Sequence, residues 1–272
     1  MNAARRREQS LRYAGFLSAS TELETRISEL GPWFYDFDLG GGLVTPSSIP
    51  PEVRPIFRTR LDMLAPPVEA HFGARLPGIR CIDVGCHEGY YSLAMARRGV
   101  GEVLGVDVRP ENLAKARFVA ETLGVRNVQY ERENCEALSP DRHGVFELCL
   151  LLGILYHLEN PMLCLRNVAA MTTELCIVET QVIDEVHGEA EWGARAWTRP
   201  YAGVLALIDE TGEYERAIGE TGATPLATCP SPRALETMLL HAGFRRTQII
   251  EPPANAYEQL ARRKRVLCAA WK

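Results

Sequence analysis

The chain has 272 residues, of which 46% are hydrophobic and 24% are charged, and its 30 Lys and Arg residues against 35 Asp and Glu residues give a formal net charge of −5. This composition is typical of a globular protein and excludes collagen-like, coiled-coil and broadly disordered chains. A mildly acidic chain has no overall electrostatic attraction to nucleic acid. The longest strongly apolar run, residues 148–156, is about half as long as a membrane span requires, so no membrane partner is expected.

The eight cysteines indicate core packing rather than a metal site. No two of them have the CxxC spacing of a zinc knuckle, so we expect no metal. Several lie in apolar, strand-like runs, where a free cysteine packs as a small hydrophobic side chain. This usage favours a reducing cytoplasm, and the first residues of the chain have no apolar core of signal-peptide length. We therefore expect a cytoplasmic protein.

The N-terminal part of the chain, residues 1–74, is predicted to form a helical cover segment. Residues 1–30 include apolar side chains at helical spacing, and a Gly-Pro pair follows them. The stretch 33–53 is aromatic at first and then rich in Gly and Pro, which forbids a long helix and indicates an ordered cover. Residues 53–72 are predicted to be helical again, with a break at Pro66-Pro67.

From residue 79 onward, apolar strands alternate with helices for about a hundred residues. The predicted strands are 79–84, 102–108, 128–131, 146–152 and 175–179, and the predicted helices between them are 90–98, 110–123 and 161–171. This alternation predicts an α/β fold in which helices cover both faces of a parallel sheet.

Residues 181–229 interrupt the alternation with two tryptophans, many charges and scattered glycines, and are predicted to be an insertion. A helix over 231–242 is predicted next, because a serine and a proline stand at its start and a glycine follows its end. Two final strands, 246–250 and 265–271, complete a predicted domain that spans 75–272.

The first two strands of the alternation end in residues that suit a nucleoside ligand. The first ends in DVGCHEG at 83–89, where Gly85 and Gly89 allow the backbone to approach a ligand closely. This is not the dinucleotide fingerprint GxGxxG, because His and Tyr stand where that pattern needs glycine. The second strand ends in Asp107, and a carboxylate there can bind both hydroxyls of a ribose.

These motifs resemble those of the class I S-adenosylmethionine-dependent methyltransferases. The resemblance rests on DVGCHEG, on Asp107 closing GVD, on FELCLLLGILYHLENP at 146–161 and on the closing SPRALETMLLHAGFRRTQII, and it covers roughly residues 75–272. It implies a Rossmann-like, seven-stranded, mostly parallel sheet with an antiparallel last strand. It also implies an enzyme that uses S-adenosylmethionine as its cofactor and transfers a methyl group.

The same resemblance implies which residues bind the cofactor. They are Asp83, Gly85, Cys86 and Gly89 for the methionine part, Asp107 for the ribose, Val108, Asn134 and Cys135 for the adenine, and Leu152 and Gly153 as backbone contacts under the sulfonium. The family often has an acidic residue at the position of Asn134, so Glu133 is an alternative. For Cys135, the alternative is that it serves packing alone.

A narrower resemblance concerns two further segments. GILYHLENP at 153–161 looks like the GxLYHxxxP stretch of the tRNA wobble-uridine carboxymethyl-transferring enzymes and their relatives, and WFYDFDLGGGLVTP at 33–46 resembles their upstream segment. Those enzymes use a carboxylated cofactor, which needs positive residues near the sulfonium. The chain has no clear equivalent of their upstream basic segment, so ordinary S-adenosylmethionine is expected.

Methyl transfer is an in-line displacement in which positioning supplies much of the catalysis. His157 follows a strand end and is a candidate general base, the alternative being that it caps the next helix or packs in the wall. Glu179 ends the next strand and is a second candidate, with a solvated carboxylate as the alternative. Tyr156 is predicted to orient the methionine carboxylate or the acceptor, whereas His87 is expected to be structural.

Several residues are predicted to bind the methyl acceptor. Tyr35 and its aromatic neighbours can close over the ligands, or they can simply dock the N-terminal helix. Trp192 and Trp197 in the insertion predict a pocket for an apolar or aromatic acceptor, with a small local core as the alternative. Arg199, with Arg195 nearby, is a candidate for binding an acidic group of the acceptor.

The acidic charge and the aromatic insertion favour methylation of a small-molecule acceptor, at oxygen and in secondary metabolism. Basic runs at 5–7 and 262–265 leave a tRNA-modifying methyltransferase as a second hypothesis. Four basic residues before a final strand, however, most often form a solvated edge that discourages strand pairing. A third hypothesis is a non-catalytic regulatory module that has kept the fold.

Overall fold

The structure is a computed structural model that describes residues 21–191, 193, 197–215 and 222–272. In chain order, the strands are β1 (Asp38–Gly40), β2 (Leu43–Val44), β3 (Arg80–Val84), β4 (Glu102–Asp107), β5 (Val128–Arg132), β6 (Phe146–Leu152), β7 (Thr172–Gln181), β8 (Glu189–Glu191), β9 (Thr198–Pro200), β10 (Leu205–Asp209), β11 (Leu226–Pro230), β12 (Arg246–Ile250) and β13 (Arg265–Trp271). The helices are α1 (21–30), α2 (Pro55–Phe72), α3 (Tyr90–Arg97), α4 (Pro110–Thr122), α5 (Pro140–His143), α6 (Pro161–Met171), α7 (Thr211–Glu215), α8 (Pro232–Ala242) and α9 (Glu258–Ala261).

Seven of these strands form one sheet in the order β12-β13-β7-β6-β3-β4-β5. Five neighbouring strands, β7, β6, β3, β4 and β5, run parallel to one another. Strand β13 runs antiparallel to both of its neighbours, β7 and β12. The predicted seven-stranded, mostly parallel sheet with an antiparallel last strand is therefore confirmed. Because β13 runs in the opposite direction, its first residue, Arg265, pairs with the last residue of β7, Gln181.

The core lies on both faces of this sheet, and β6 shows how the sequence produces it. Residues 148–152 are all buried apolar side chains, as expected for a strand covered on both faces. Leu148 and Leu150 pack in the core on one face, whereas Cys149 and Leu151 pack in the core on the other face. This alternation follows from the two-residue period of a strand.

Helix α2 differs from its prediction, because it continues through Pro66-Pro67 without a break. Each proline lacks the N–H that would bond to the carbonyl four residues earlier, so two helical hydrogen bonds are missing. The helix persists because Leu64, Val68 and Phe72 are buried against the core. Tertiary packing therefore outweighs the local cost of the prolines.

The segment between β7 and α8 contains two small antiparallel pairs, β8 with β9 and β10 with β11. The second pair packs onto the loop that follows β6, where the hydroxyl of Thr228 donates a hydrogen bond of 2.9 Å to the carbonyl of Leu158. Nowhere in residues 21–191, 193, 197–215 and 222–272 does a helix combine the length and apolar character that crossing a membrane requires.

The carboxylate of Glu88 attaches the aromatic cover segment to the main sheet. Glu88 is fully buried in the loop between β3 and α3. It accepts hydrogen bonds from the backbone N–H groups of Phe34 and Tyr35 at 2.9–3.0 Å and from Lys115 Nζ on α4 at 2.9 Å. One buried carboxylate thus connects the cover segment, the loop after β3 and a helix of the sheet layer.

We expect the substitution Glu88→Ala to reduce the free energy of unfolding by about 3–5 kcal/mol, because it leaves the buried Lys115 ammonium without its counter-ion. Urea unfolding followed by circular dichroism measures the change. Glu121→Ala, at an exposed position of the same helix α4, is the control and should change stability by less than about 0.5 kcal/mol. Equal stability of the two variants would contradict this role for Glu88.

Candidate active site

A cavity of about 380 Å³ lies at the edge of the sheet where the parallel strands end. Its walls include residues from the ends of β3, β4, β6 and β7, from the start of β13 and from α2. Ligands of open α/β sheets bind beyond this edge, near the point at which the strand order reverses. The volume is in the range of small-molecule sites.

Many of the residues predicted from the sequence line this cavity: Tyr35, Gly85, Asp107, Val108, Asn134, Cys135, Leu152, Gly153, Tyr156 and His157. Others of the described residues do not line it: Asp83, Cys86, Gly89, Glu179, Trp197 and Arg199. Trp192 and Arg195 lie outside the described residues. The predicted cofactor-binding set thus divides into residues that face the cavity and residues that support them.

The loop after β3 turns over the end of β4. The backbone N–H groups of Gly85 and Cys86 both donate to the carbonyl of Val106, at 2.8 and 2.9 Å. Gly85 has a φ of 72°, and a Cβ there would lie 2.8 Å from the side chain of Ile154. Only glycine therefore permits this turn without displacing the opposite wall.

Cys86 and Gly89 pack away from the cavity. The thiol of Cys86 is buried close to Gly105 on β4, and a Cβ at Gly89 would collide with the hydroxyl of Tyr130 on β5. Neither residue lines the cavity, and the observed contacts of both are with the neighbouring strands, so their contact with the methionine part stays a prediction.

Asp107 is held in a fixed orientation by the backbone. Its two carboxylate oxygens accept hydrogen bonds of 2.9 Å from the N–H groups of His87 and Arg109. Burial raises the pKa of this carboxyl above its ordinary value, although both hydrogen bonds act in the opposite direction. A carboxylate has about four acceptor positions, so it can still bind ribose hydroxyls.

The wall near Val108 contains both candidates for the adenine edge. The side chain of Asn134 accepts a hydrogen bond of 3.0 Å from the backbone N–H of Glu136, so it serves partly as a helix cap. Glu133 also lines the cavity, and its carboxylate pairs with Arg142 at 2.5 Å. The alternatives left open by the sequence therefore both remain in contact with the cavity.

Asp83 is buried behind the cavity wall rather than in it. Its carboxylate accepts a hydrogen bond of 2.5 Å from the hydroxyl of Ser92 on α3. Burial raises its pKa from 3.8 to about 6. The carboxylate can act on a ligand amino group only through its charge or through an intervening group.

Arg60 and Arg265 line the opposite wall, and Glu179 is buried behind them. Glu179 Oε1 lies 3.2 Å from Arg60 Nε and 3.2 Å from Arg265 Nη1, and all three side chains are buried. Arg265 Nη2 donates to the hydroxyl of Tyr156 at 2.9 Å, and Arg265 Nε donates to Gln259 at 2.9 Å. Glu179 thus balances charge between the arginines, which leaves it poorly placed to accept a proton from an acceptor.

His157 lies between the cavity and the inserted segment. Its Nδ1 is 3.5 Å from Glu210 Oε1, and a Cβ at Gly222 would collide with the carbonyl of His157. Burial, together with Arg265 and Arg109, lowers the pKa of His157 to about 4. The imidazole is therefore neutral at pH 7.

The aromatic residues of the cover segment occupy two different environments. Trp33 is fully buried and its Nε1 donates to the carbonyl of Ile27 at 2.8 Å, so it docks α1. Phe34 and Tyr35 line the cavity instead. The Tyr35 ring stacks on Tyr90 with a centroid distance of 4.7 Å, which fixes its orientation.

His87, which was expected to be purely structural, lines the cavity. Its ring packs against Phe34 with a centroid distance of 4.8 Å, and its Nδ1 has no hydrogen-bond partner within the described part of the chain. Burial lowers its pKa to about 3, so its ring is neutral.

The predicted acceptor residues of the insertion are placed elsewhere. Trp197 is 69% exposed, and Arg199 is also exposed. The reason is that β8 and β9 pair with each other in a separate sheet rather than folding over the cavity. The described part of the insertion reaches the cavity instead through Gly222 and Ala223.

Sequence reasoning missed the basic wall. Arg265 looked like part of the solvated basic run at 262–265, but it is buried and paired with Glu179. Arg60 did carry a signal, because it lies three or four residues from Phe57 and Leu64 on the apolar face of α2. Among the described residues, no three His, Cys, Asp or Glu side chains are grouped as metal ligands.

We expect Asp83 to give the protein a measurable pH dependence of stability. Its folded-state pKa of about 6 lies above the ordinary 3.8, so the folded state loses stability as the pH rises from about 4 to about 6. Relative to Asp83→Asn, the wild type should lose about 3 kcal/mol across this window and no more above it. Urea unfolding of both proteins at several pH values measures this difference, and a constant difference would contradict it.

Comparison with known proteins places these features in a family. A family model described as a methyltransferase domain matches residues 76–214. The chain is 29% identical over 180 residues to the ubiquinone biosynthesis O-methyltransferase of Psychrobacter arcticus, in an alignment covering 64% of this chain and 62% of that protein. The chain thus spans less than two thirds of the length of this relative.

Solved structures share the fold. The N-terminal domain of EvdMO1, crystallised in the presence of SAH and D-fucose, is similar with a TM-score of 0.64 and 22% identity, over 93% of this chain and 94% of that chain. Magnesium protoporphyrin IX methyltransferase (ChlM) from Synechocystis PCC 6803, with bound SAH, is similar with a TM-score of 0.52 and 16% identity, over 97% and 99%. Because the family model covers more than half of the chain, the chain belongs to the methyltransferase domain family, and it shares the fold of class I S-adenosylmethionine-dependent methyltransferases.

Proposed function

We propose that this enzyme transfers the methyl group of S-adenosylmethionine to a hydroxyl oxygen of a small-molecule acceptor. One observation carries the proposal: a single cavity of about 380 Å³ is bounded on one side by the loops after β3 and β4 and on the other by α2 and His157. This volume suits small ligands. The printed name of the Psychrobacter relative, an O-methyltransferase, supports oxygen as the acceptor atom, and the EvdMO1 domain was crystallised with a hydroxyl-bearing sugar.

The cavity residues fit the cofactor. Gly85 brings its backbone to the cavity without a side chain, and the fixed carboxylate of Asp107 has acceptor positions left for the ribose. Val108, Asn134 and Cys135 would then border the adenine. The buried Nδ1 of His87, which lacks a hydrogen-bond partner among the described residues, is a further polar atom at this wall.

When bound, S-adenosylmethionine supplies a methyl group on a cationic sulfur, so that the acceptor oxygen bonds to the methyl carbon while the C–S bond breaks and its electron pair goes to sulfur. His157 accepts the hydroxyl proton, for which its neutral imidazole is ready at pH 7. The carboxylate of Glu210, 3.5 Å from Nδ1, stabilises the imidazolium that forms. Phe34 and Tyr35 exclude water from the cavity.

The direct test incubates the purified protein with S-adenosylmethionine and with hydroxyl-bearing acceptors, including catechol, 3,4-dihydroxybenzoate and D-fucose, alongside comparable amines and thiols. Formation of S-adenosylhomocysteine and of a product heavier by one methyl group in place of one hydrogen supports the proposal. Turnover confined to amines or thiols would contradict oxygen as the acceptor atom. Binding of S-adenosylmethionine without transfer to any of these classes would favour a non-catalytic module.

We expect Asp107→Asn to weaken binding of S-adenosylhomocysteine by roughly 10- to 100-fold, because charged hydrogen bonds to the ribose are lost. Isothermal titration calorimetry measures the dissociation constant. Asp141→Asn, which changes an exposed aspartate on α5, is the matched control and should bind like the wild type. Unchanged binding by Asp107→Asn would show that the ribose lies elsewhere.

We expect His157→Gln to lower kcat by roughly 10²-fold or more, since the hydroxyl proton loses its acceptor, with little change in cofactor affinity. The wild-type kcat/KM should fall as the pH drops through about 4, where His157 becomes protonated, and the variant should lack this dependence. Methyl transfer from labelled S-adenosylmethionine measures kcat and the pH dependence of kcat/KM. An unchanged pH profile would remove His157 as the base.

A further inference from the structure

The cavity wall formed by Arg60 and Arg265 has an uncompensated positive charge, because only Glu179 is buried behind it to pair with both arginines. Two guanidinium groups share a single carboxylate oxygen, each at 3.2 Å. Arg60 and Arg265 are only 7% and 8% exposed, and Glu179 is fully buried. Tyr156 and Gln259, the other hydrogen-bond partners of Arg265, are neutral. An unpaired buried charge is costly, so a site that retains one is suited to an anionic ligand.

The hydrogen bonding of Arg60 is incomplete as well. Its Nε has no hydrogen-bond partner in the described residues, and the same holds for the second oxygen of Glu179. The guanidinium lies near the backbone of Gly153, because a Cβ there would be 3.7 Å from Nη1. Arg60 and Arg265 both line the cavity, so their donors are accessible to a ligand in it.

The order of the sheet separates this wall from the cofactor residues. Gly85, Asp107 and Asn134 follow β3, β4 and β5, which form one half of the sheet. Arg265 begins β13, and Glu179 lies on β7, in the other half. Gly153, at the end of β6, lies between the two halves. A cofactor bound over the first half therefore leaves the arginines facing the acceptor.

A continuous part of the remaining wall is apolar. Ile56 and Phe57 on α2 line the cavity together with Ile49 and Val53 from the segment before it. An acceptor that fits has an apolar body and an anionic group at one end. A planar carboxylate matches the fork of an arginine with two parallel hydrogen bonds.

Resting on the function proposed above, we propose that the acceptor is a hydroxylated carboxylic acid whose carboxylate binds Arg60 and Arg265 while its apolar body packs against α2. The carboxylate completes the charge balance of the wall, and Tyr156 orients Arg265 for it. The hydroxyl group is then presented near Gly153 and His157.

The test uses the full chain loaded with S-adenosylhomocysteine and titrates it with benzoate or with benzamide, which has nearly the same shape and no charge. Calorimetry should show benzoate binding at least about tenfold more tightly to the wild type. Arg60→Gln and Arg265→Gln should each abolish this preference. Each of these variants keeps one arginine paired with Glu179, which favours folding. Circular dichroism verifies that each variant is folded. Arg58→Gln, at an exposed position of the same helix, should retain the preference.

Equal binding of benzoate and benzamide to the wild type, including no binding of either, overturns the proposal. So does weaker binding of S-adenosylhomocysteine itself to Arg60→Gln or Arg265→Gln, which would assign the arginines to the methionine carboxylate. A wild-type preference for a carboxylated S-adenosylmethionine that both variants lose would assign them to the transferred group. All of these measurements report binding and need no turnover. Failure of the carboxylate proposal can therefore be distinguished from failure of the proposed methyl transfer to hydroxyl groups.

Discussion

The buried carboxylate of Glu88 is the interaction on which the shape of the active site depends. It is fully enclosed and accepts backbone hydrogen bonds from Phe34 and Tyr35 as well as the ammonium of Lys115. A charge in such a place is tolerated only when its oxygens are hydrogen-bonded and its counter-ion is close. The cover segment therefore has one position relative to the loop after β3, and that position puts two aromatic rings against the cavity.

Charge is divided between the two halves of the sheet. On the half of β3 and β4, Asp107 lines the cavity and Asp83 is buried behind its wall, beside the proposed site of a cofactor that carries a cationic sulfur. On the half of β7 and β13, Arg60 and Arg265 outnumber Glu179. Opposite charges on the two ligands would be drawn to opposite ends of one cavity, which favours the alignment that an in-line transfer needs.

The sheet, and the position of Gly85 and Asp107 at the cavity, were predictable from the sequence because their signals are local. Strand period, helix-terminating glycines and the DVGCHEG loop each depend on residues close together in the chain, and the antiparallel last strand followed from the family resemblance. The persistence of α2 through Pro66-Pro67 was not predictable, since it depends on burial against residues that are distant in sequence.

The side-chain contacts of the half of the sheet formed by β7 and β13 were also not predictable, because they join residues that are distant in sequence. Trp197 and Arg199 were chosen by composition, but composition does not determine that β8 and β9 pair with each other in a separate sheet. Arg265 was placed in a basic run because its neighbours are basic, whereas its burial depends on its pairing with Gln181 at the end of β7. Glu210 and Gly222 approach His157 only because the inserted segment returns to that loop.

The antiparallel strand β13 also has a consequence for the order of assembly. It lies between β7 and β12 and supplies Arg265, so the acceptor wall depends on contacts between segments far apart in the chain. During synthesis on the ribosome, β3, β4 and β5 emerge long before this strand. The loops proposed to bind the cofactor are therefore synthesised well before the arginine proposed to bind the acceptor, and the charge of that wall is complete only once β13 has paired with β7.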